Sequence, residues 1–304
     1  MNDVNYLTKK RRTMSSVELF SSNFTWPHYL DLSQGNGALF ENQILLPVLC
    51  RGTSMEEIKK LIEARPGILE EYDDNENSPI HIVLQKNLDV NILKLLVAYK
   101  VNVENFNIFG ETPLMWAIAN CEDERIAILI EATTEVGINL KDFRGDVPLS
   151  LLLGHFKSEK LIYQLLDKYP DLNTQNNLNE TPLMIAAKTG QSKAVMFRML
   201  DQDSDLGLRN LEGDNLLAVA LFKGLNDTII FEILKRCSKE EINARNTLGA
   251  TPLMKAIGQS SKLIIQKLLE YGADATLIDK EGKTCQVYAS EYKREDEIKN
   301  LVCS

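Results

Sequence analysis

The residues able to do chemistry are few and poorly placed for it. Histidine occurs three times, at His28, His81 and His155. No two stand at H-x-x-x-H spacing, which would bring two imidazoles to one helix face for a metal. The five cysteines, Cys50, Cys121, Cys237, Cys285 and Cys303, form no C-x-x-C pair. A Cys–His hydrolase would need a thiolate held against an oriented base. Cys50 and Cys121 are the candidate nucleophiles of such an enzyme, but no local signature supports either. The chain has no phosphate-cradling G-x-x-x-x-G-K and no G-x-G-x-x-G. Carboxylates are numerous but scattered, so no pair is singled out for acid–base work. The expectation is a protein without catalytic residues, metal site or cofactor.

Bulk composition narrows the class further. The chain has 304 residues, 44% apolar and 25% charged, as in ordinary soluble proteins. Length alone suggests about two domains. The net charge of −9 argues against a nucleic-acid partner, which a basic domain would serve. The longest apolar run, Leu216–Phe222, falls far short of the roughly 18 residues of a membrane span. Lys9, Lys10, Arg11 and Arg12 are followed by polar residues, unlike a secretory signal. That cluster reads as a solvated tail, with nuclear import as the alternative. An odd number of cysteines in a chain of this size suggests a reducing compartment, hence a cytoplasmic protein.

Internal repetition is the strongest signal. Pro79, Pro113, Pro148, Pro182, Leu216, Pro252 and Cys285 occupy equivalent positions, spaced by 34, 35, 34, 34, 36 and 33 residues. Two residues before the preceding Thr or its substitute stands Gly110, Gly145, Gly213, Gly249 or Gly282, replaced once by Asn179. Three residues earlier comes Asp73, Asn107, Asp142, Asn176, Asn210, Asn246 or Asp279. This is turn chemistry: the short polar side chain bonds its own backbone, and Gly accepts positive φ. Pro then suits the first turn of a helix, where its missing N–H costs nothing. A second apolar stretch at helical spacing follows, as in Leu161, Ile162, Leu165 and Leu166. Each unit therefore reads turn, helix, loop, helix, and only stacking against neighbours can bury its apolar faces.

The period and the T-P-L-H-x-A pattern resemble ankyrin repeats over about residues 42–304. The stretch Leu268–Ala275 is especially close to that family's second-helix ending. The resemblance implies an all-α solenoid of about eight helix-loop-helix units with short hairpin turns. Residues 42–76 form a degenerate N-cap, repeats start near 77, 111, 146, 180, 214 and 250, and 283–304 form the C-cap. Residues 1–41 would be a partly flexible segment that folds back on the first repeats. His81 would fix its turn through backbone and hydroxyl groups. The unit at 214–218, lacking both Thr and Pro, would have a weakened turn.

The resemblance also implies where a partner protein binds, namely the turn tips and the inner, concave face of the first helices. At the tips it places Ile108, Phe109 and Phe143, with Leu178, Leu211 and Leu248. Just after the turn Gly, in a position expected to face solvent, come Glu111, Asp146, Glu180 and Asp214. With repeats stacked about 10 Å apart, these would form a ladder of carboxylates. On the concave face it places Trp116, Leu151 and Ile185, with Trp116 exposed. The expected function is non-catalytic recognition by a monomeric adaptor, of a protein with a basic or mixed apolar-basic segment. The charge-dense run Glu291–Glu297 suits a polar outer face on the cap. It is also similar to the glutamate-rich tails of some exported bacterial effectors, which would place the protein in a host cytosol. The alternatives are the cysteine enzyme above and a self-associating structural protein.

Overall fold

The computed structural model describes residues 45–51, 54–155 and 158–295. The N-terminal segment with Lys9–Arg12, His28, the side chain of Cys50, Cys303 and the end of the charged tail lie outside the described residues. The chain divides into two units, Met1–Gln43 and Ile44–Ser304, and everything below concerns the second.

Among the described residues the protein is all helix, with no strand. The first helices of successive units are α1 (Leu45–Cys50), α3 (Pro79–Gln85), α5 (Pro113–Asn120), α7 (Pro148–Gly154) and α9 (Pro182–Thr189). They continue as α11 (Leu216–Lys223), α14 (Pro252–Gln259) and α16 (Cys285–Glu291). Their second-helix partners are α2 (Met55–Ala64), α4 (Val90–Ala98), α6 (Asp123–Ala132) and α8 (Glu159–Leu166). The series ends with α10 (Lys193–Leu200), α12 (Asp227–Arg236) and α15 (Lys262–Glu270). First helices stack on first helices, as α7 on α9 and α11 on α14, and second helices stack likewise. The two longest repeat spacings have a visible cause. A 3-10 turn at Gly137–Asn139 and the one-turn helix α13 (Lys239–Ile242) occupy the return from second helix to next tip.

The turn chemistry is as the sequence requires. At Asp73, Asn107, Asp142, Asn176, Asn246 and Asp279, Oδ1 accepts from the N–H two and four residues on, at 2.8–3.0 Å. Asn210 Oδ1 accepts from Asp214 N–H at 2.9 Å. The turn glycines have φ near +75°, from +74° at Gly110 to +80° at Gly249, and Asn179 and Glu76 take +56° and +57° in the same place. Closed tips then bond their neighbours through the backbone. Asn177 N–H donates to Arg144 O at 2.8 Å, Leu211 to Leu178 O at 3.0 Å and Thr247 to Glu212 O at 2.8 Å.

Caps start the first helices. Thr112, Thr181 and Thr251 Oγ1 each accept from the third helical N–H at 3.3 Å. The expected weak turn at 214–218 is corrected by Asn215. Its Oδ1 accepts from Ala218 N–H at 3.0 Å and its Nδ2 donates to Glu241 O at 2.8 Å, so one amide replaces the Thr hydroxyl. Side chains also reach across repeats to terminal carbonyls. Lys168 donates to Thr133 O at 2.7 Å, Gln191 to Leu153 O at 2.9 Å and Arg294 to Ile257 O at 2.8 Å. These satisfy orphan helix-end acceptors.

His81 is fully buried. Ser78 N–H and Oγ lie 3.2 and 2.9 Å from Nδ1, and Glu111 O lies 3.1 Å from Nε2. A carbonyl can only accept and a backbone N–H can only donate, so the proton sits on Nε2 and the ring is neutral. Burial pushes its pKa down to about 4.

Two outcomes follow. At Gly145 a β-carbon would come within 3.0 Å of Asn176 Cα and Asn177 N, at a φ of +78°. Gly145→Val is therefore expected to lose roughly 1–3 kcal/mol or more in urea unfolding, from strained backbone alone. For His81, the folded-state pKa lies below the unfolded one, so its stability contribution is present above about pH 6.5 and is lost as pH falls toward 4. Wild type is expected to lose up to about 3 kcal/mol more than His81→Gln between those limits, measured by chemical denaturation at each pH.

Candidate functional site: the concave face and turn tips

The tips carry the apolar residues the sequence places there. Phe109, Phe143, Leu178, Leu211 and Leu248 are exposed, with Leu248 the most open at 67%, and Ile108 is half-buried. Phe143 is more than a free ring. It lies over Gly110, where any β-carbon would collide with it, so it braces one tip against the preceding one. Asn177 Nδ2 donates to Phe143 O at 2.9 Å, fixing the other side.

On the concave face Trp116, Leu151 and Ile185 are half-buried and pack against the core. The expectation that Trp116 is exposed is corrected: its side chain is half-buried, because it packs against the apolar core between the helices. Val219, one repeat on, is buried at 5%. Lys255 takes the same register in α14.

The carboxylates depart most from expectation. They do not stand in solvent but turn beneath the tips. Glu180 and Asp214 are buried at 6% and 3%, and Glu111 and Asp146 are half-buried. The physical reason is that this position meets donors of its own unit, at Glu111 and Glu180, or of the next, at Asp146 and Asp214. Each carboxylate has found a donor. Lys188 pairs with Glu180, and Lys255 pairs with Asp214 while lying 5.2 Å over the Phe222 ring. Glu111 accepts from Asn107 Nδ2 at 3.3 Å and Asp146 from Asn176 Nδ2 at 2.8 Å. Burial pushes the pKa of Glu111, Asp142 and Asp146 above the ordinary carboxylate range, against hydrogen bonds that lower it.

Sequence reasoning missed Lys188 and the role of Lys255. A lone lysine inside an otherwise apolar first helix was the available signal. The described cysteines outside the candidate pair are Cys237 and Cys285. Burial raises Cys237 to about 12 and Cys285 to about 11, the opposite of an activated thiol. Among the described residues no group of three His, Cys, Asp or Glu could hold a metal, and no helix is long and apolar enough to cross a membrane.

The family model for ankyrin repeats (3 copies) matches residues 48–142 and 216–304, more than half of the chain. The chain belongs to the ankyrin-repeat family. Its solenoid is similar to the ankyrin repeat domain of Bcl-3, a member of the IkappaB family, with a TM-score of 0.58 at 20% identity. That match covers 74% of this chain and 100% of the other, and shows the fold. A chain in the complex of the predatory endopeptidase Bd0816 from Bdellovibrio bacteriovorus with immunity protein Bd3460 matches with a TM-score of 0.53 at 26% identity. It covers 63% of this chain and 97% of that one. The ankyrin-repeat protein EF0377 matches with a TM-score of 0.54 at 26% identity, covering 62% and 96%. None of the curated proteins matches by sequence. Ankyrin repeats are generally protein–protein interaction modules, and their fold is typically non-catalytic.

The internal ion pairs give a direct test of the site's electrostatics. Lys255→Met strands the carboxylate of Asp214 in a buried position, and is expected to cost roughly 3–5 kcal/mol. The double variant Lys255→Met, Asp214→Ala is expected to recover most of that loss in urea unfolding.

Proposed function

We propose that this ankyrin solenoid is a non-catalytic recognition protein that holds a partner protein on its concave face and turn tips. The observation that carries the reading is the joint presentation of exposed tip residues, Phe109 and Phe143 above all, beside the half-buried stripe Trp116, Leu151 and Ile185. Aromatic side chains next to apolar surface are enriched among interface hot spots. The half-buried carboxylates Glu111 and Asp146 beside that stripe favour a partner segment of mixed basic and apolar character. An adaptor working as a monomer in a cytoplasmic compartment fits this surface, as does a host-directed effector. The family's relation to partner proteins supports binding over catalysis.

The test is affinity capture from cell lysate with wild type and a Trp116→Ala, Phe143→Ala double variant. Because Trp116 packs on the core, the variant is expected to lose about 1–3 kcal/mol of stability and must be used well below its melting point. The expected result is a protein retained by wild type and lost by the folded variant. Equal retention by both would move the site off this face.

A further inference from the structure

The repeats act as internal controls for one another at the position just after the turn Gly. In the fifth unit, Lys188 of α9 pairs with Glu180 of the same unit. In the sixth, Asp214 receives Lys255 from the next first helix. In the third and fourth units the carboxylates remain but the lysines do not. The place of Lys188 is taken by exposed Ala119 in α5 and by Gly154 in α7, where a β-carbon would meet nothing within 4 Å. The place of Lys255 relative to its carboxylate is taken by Leu151 and Ile185. Glu111 and Asp146 are left with neutral amide donors, and with the field of Arg144 on both and of His155 on Asp146. Desolvation outweighs these. The same line ends in an unmet acceptor. Asp214 is 97% enclosed, at 3% exposure, yet its Oδ1 has no hydrogen-bond donor.

The scaffold does not need these carboxylates to fold. The seventh unit has Ala250 at the equivalent position, and its turn closes with the same bonds, Asn246 Oδ1 accepting from Ala250 N–H at 2.9 Å. Half-buried acids therefore persist in the third and fourth units, beside space that is open among the described residues and lies where a lysine stands one unit later.

We propose that this part of the concave face is a socket for two cationic side chains of a partner protein. One would lie against Glu111 and one against Asp146, each with its stem over Trp116 or Leu151. The proposal rests on the concave-face reading above and specifies its partner. Adjacent repeats stand about 10 Å apart, which matches lysines or arginines seven residues apart on one helix face. The aliphatic stems would cover the apolar stripe while the heads meet the acids.

The test uses the whole protein and a displayed library of helical peptides with two lysines seven residues apart, apolar positions randomised. A matched library carries glutamines instead. Expected is enrichment of the dilysine library, with binding at least about tenfold weaker to Glu111→Gln, Asp146→Asn and weaker again at high salt. Ala119→Lys, Gly154→Lys would transplant the fifth unit's solution and should block the same peptides. If that variant fails to fold, the amide variant still decides. No enrichment over the glutamine library overturns the socket. Peptides that bind the amide variant as well as wild type but are lost on Leu151→Ala overturn it too, while leaving the concave face intact. Peptides indifferent to both variants overturn both readings.

Discussion

One short side chain per repeat organises this molecule. An Asn or Asp oxygen accepts two backbone N–H groups of its own turn, and so fixes the direction in which the next helix leaves. A closed turn leaves one N–H and one C=O free along the stacking axis, and these bond the turns on either side. Order thus passes from side chain to turn, from turn to neighbouring turn, and from there to the helices. The apolar faces contribute most of the stabilisation, but they are non-directional. The turn is what sets each helix pair in the same register as the last.

That regularity explains why carboxylates could be buried at all. A carboxylate in low dielectric is costly unless it is paired. Repetition places a first-helix side chain of the same or the next unit beside every position after the turn Gly, so one lysine substitution can neutralise one acid. The sixth unit couples this to aromatic packing, with the ammonium of Lys255 between Asp214 and the Phe222 ring. Where the lysine is missing, an Asn amide serves, from its own turn at Glu111 and from the next turn at Asp146, and the acid stays half-exposed. Charge balance is settled repeat by repeat, independently of the fold.

The fold was legible in the sequence because its determinants are local. Asp142, Gly145, Pro148 and the apolar residues after it lie within a dozen positions, and each residue type has one conformational meaning there. The resemblance to ankyrin repeats supplied the role of His81, whose partners are a capping hydroxyl and the following turn. The site was less legible because its geometry depends on pairs a whole repeat apart. The lysine at 255 is visible in sequence, but its acid at 214 lies in the preceding unit. The inward turn of Glu180 and Asp214 depends on how tightly one tip covers the next. Trp116 was misjudged for the same reason: exposure on a solenoid is set by the gap between units, which no single unit encodes. The gap at Asn215 shows the reverse case, where a residue outside the pattern does the same work with different atoms.

A repeat protein separates stability from recognition unusually well. Each unit needs its turn, its cap and its apolar stripe, and the remaining surface positions vary at little cost to the stack. A feature that is costly, off the pattern and confined to adjacent units is then poorly explained by folding. The acids of the third and fourth units, bonded by amides and without a lysine partner, have all three properties. Ala250 shows that the turn tolerates an uncharged side chain at that position, and Lys188 shows that a cation can be supplied from within. Neither remedy is used at Glu111 or Asp146, in the two units whose first helices carry the half-buried Trp116 and Leu151. Recognition by an outside cation accounts for the retained acids, the small residues at 119 and 154, and the half-covered indole with a single cause.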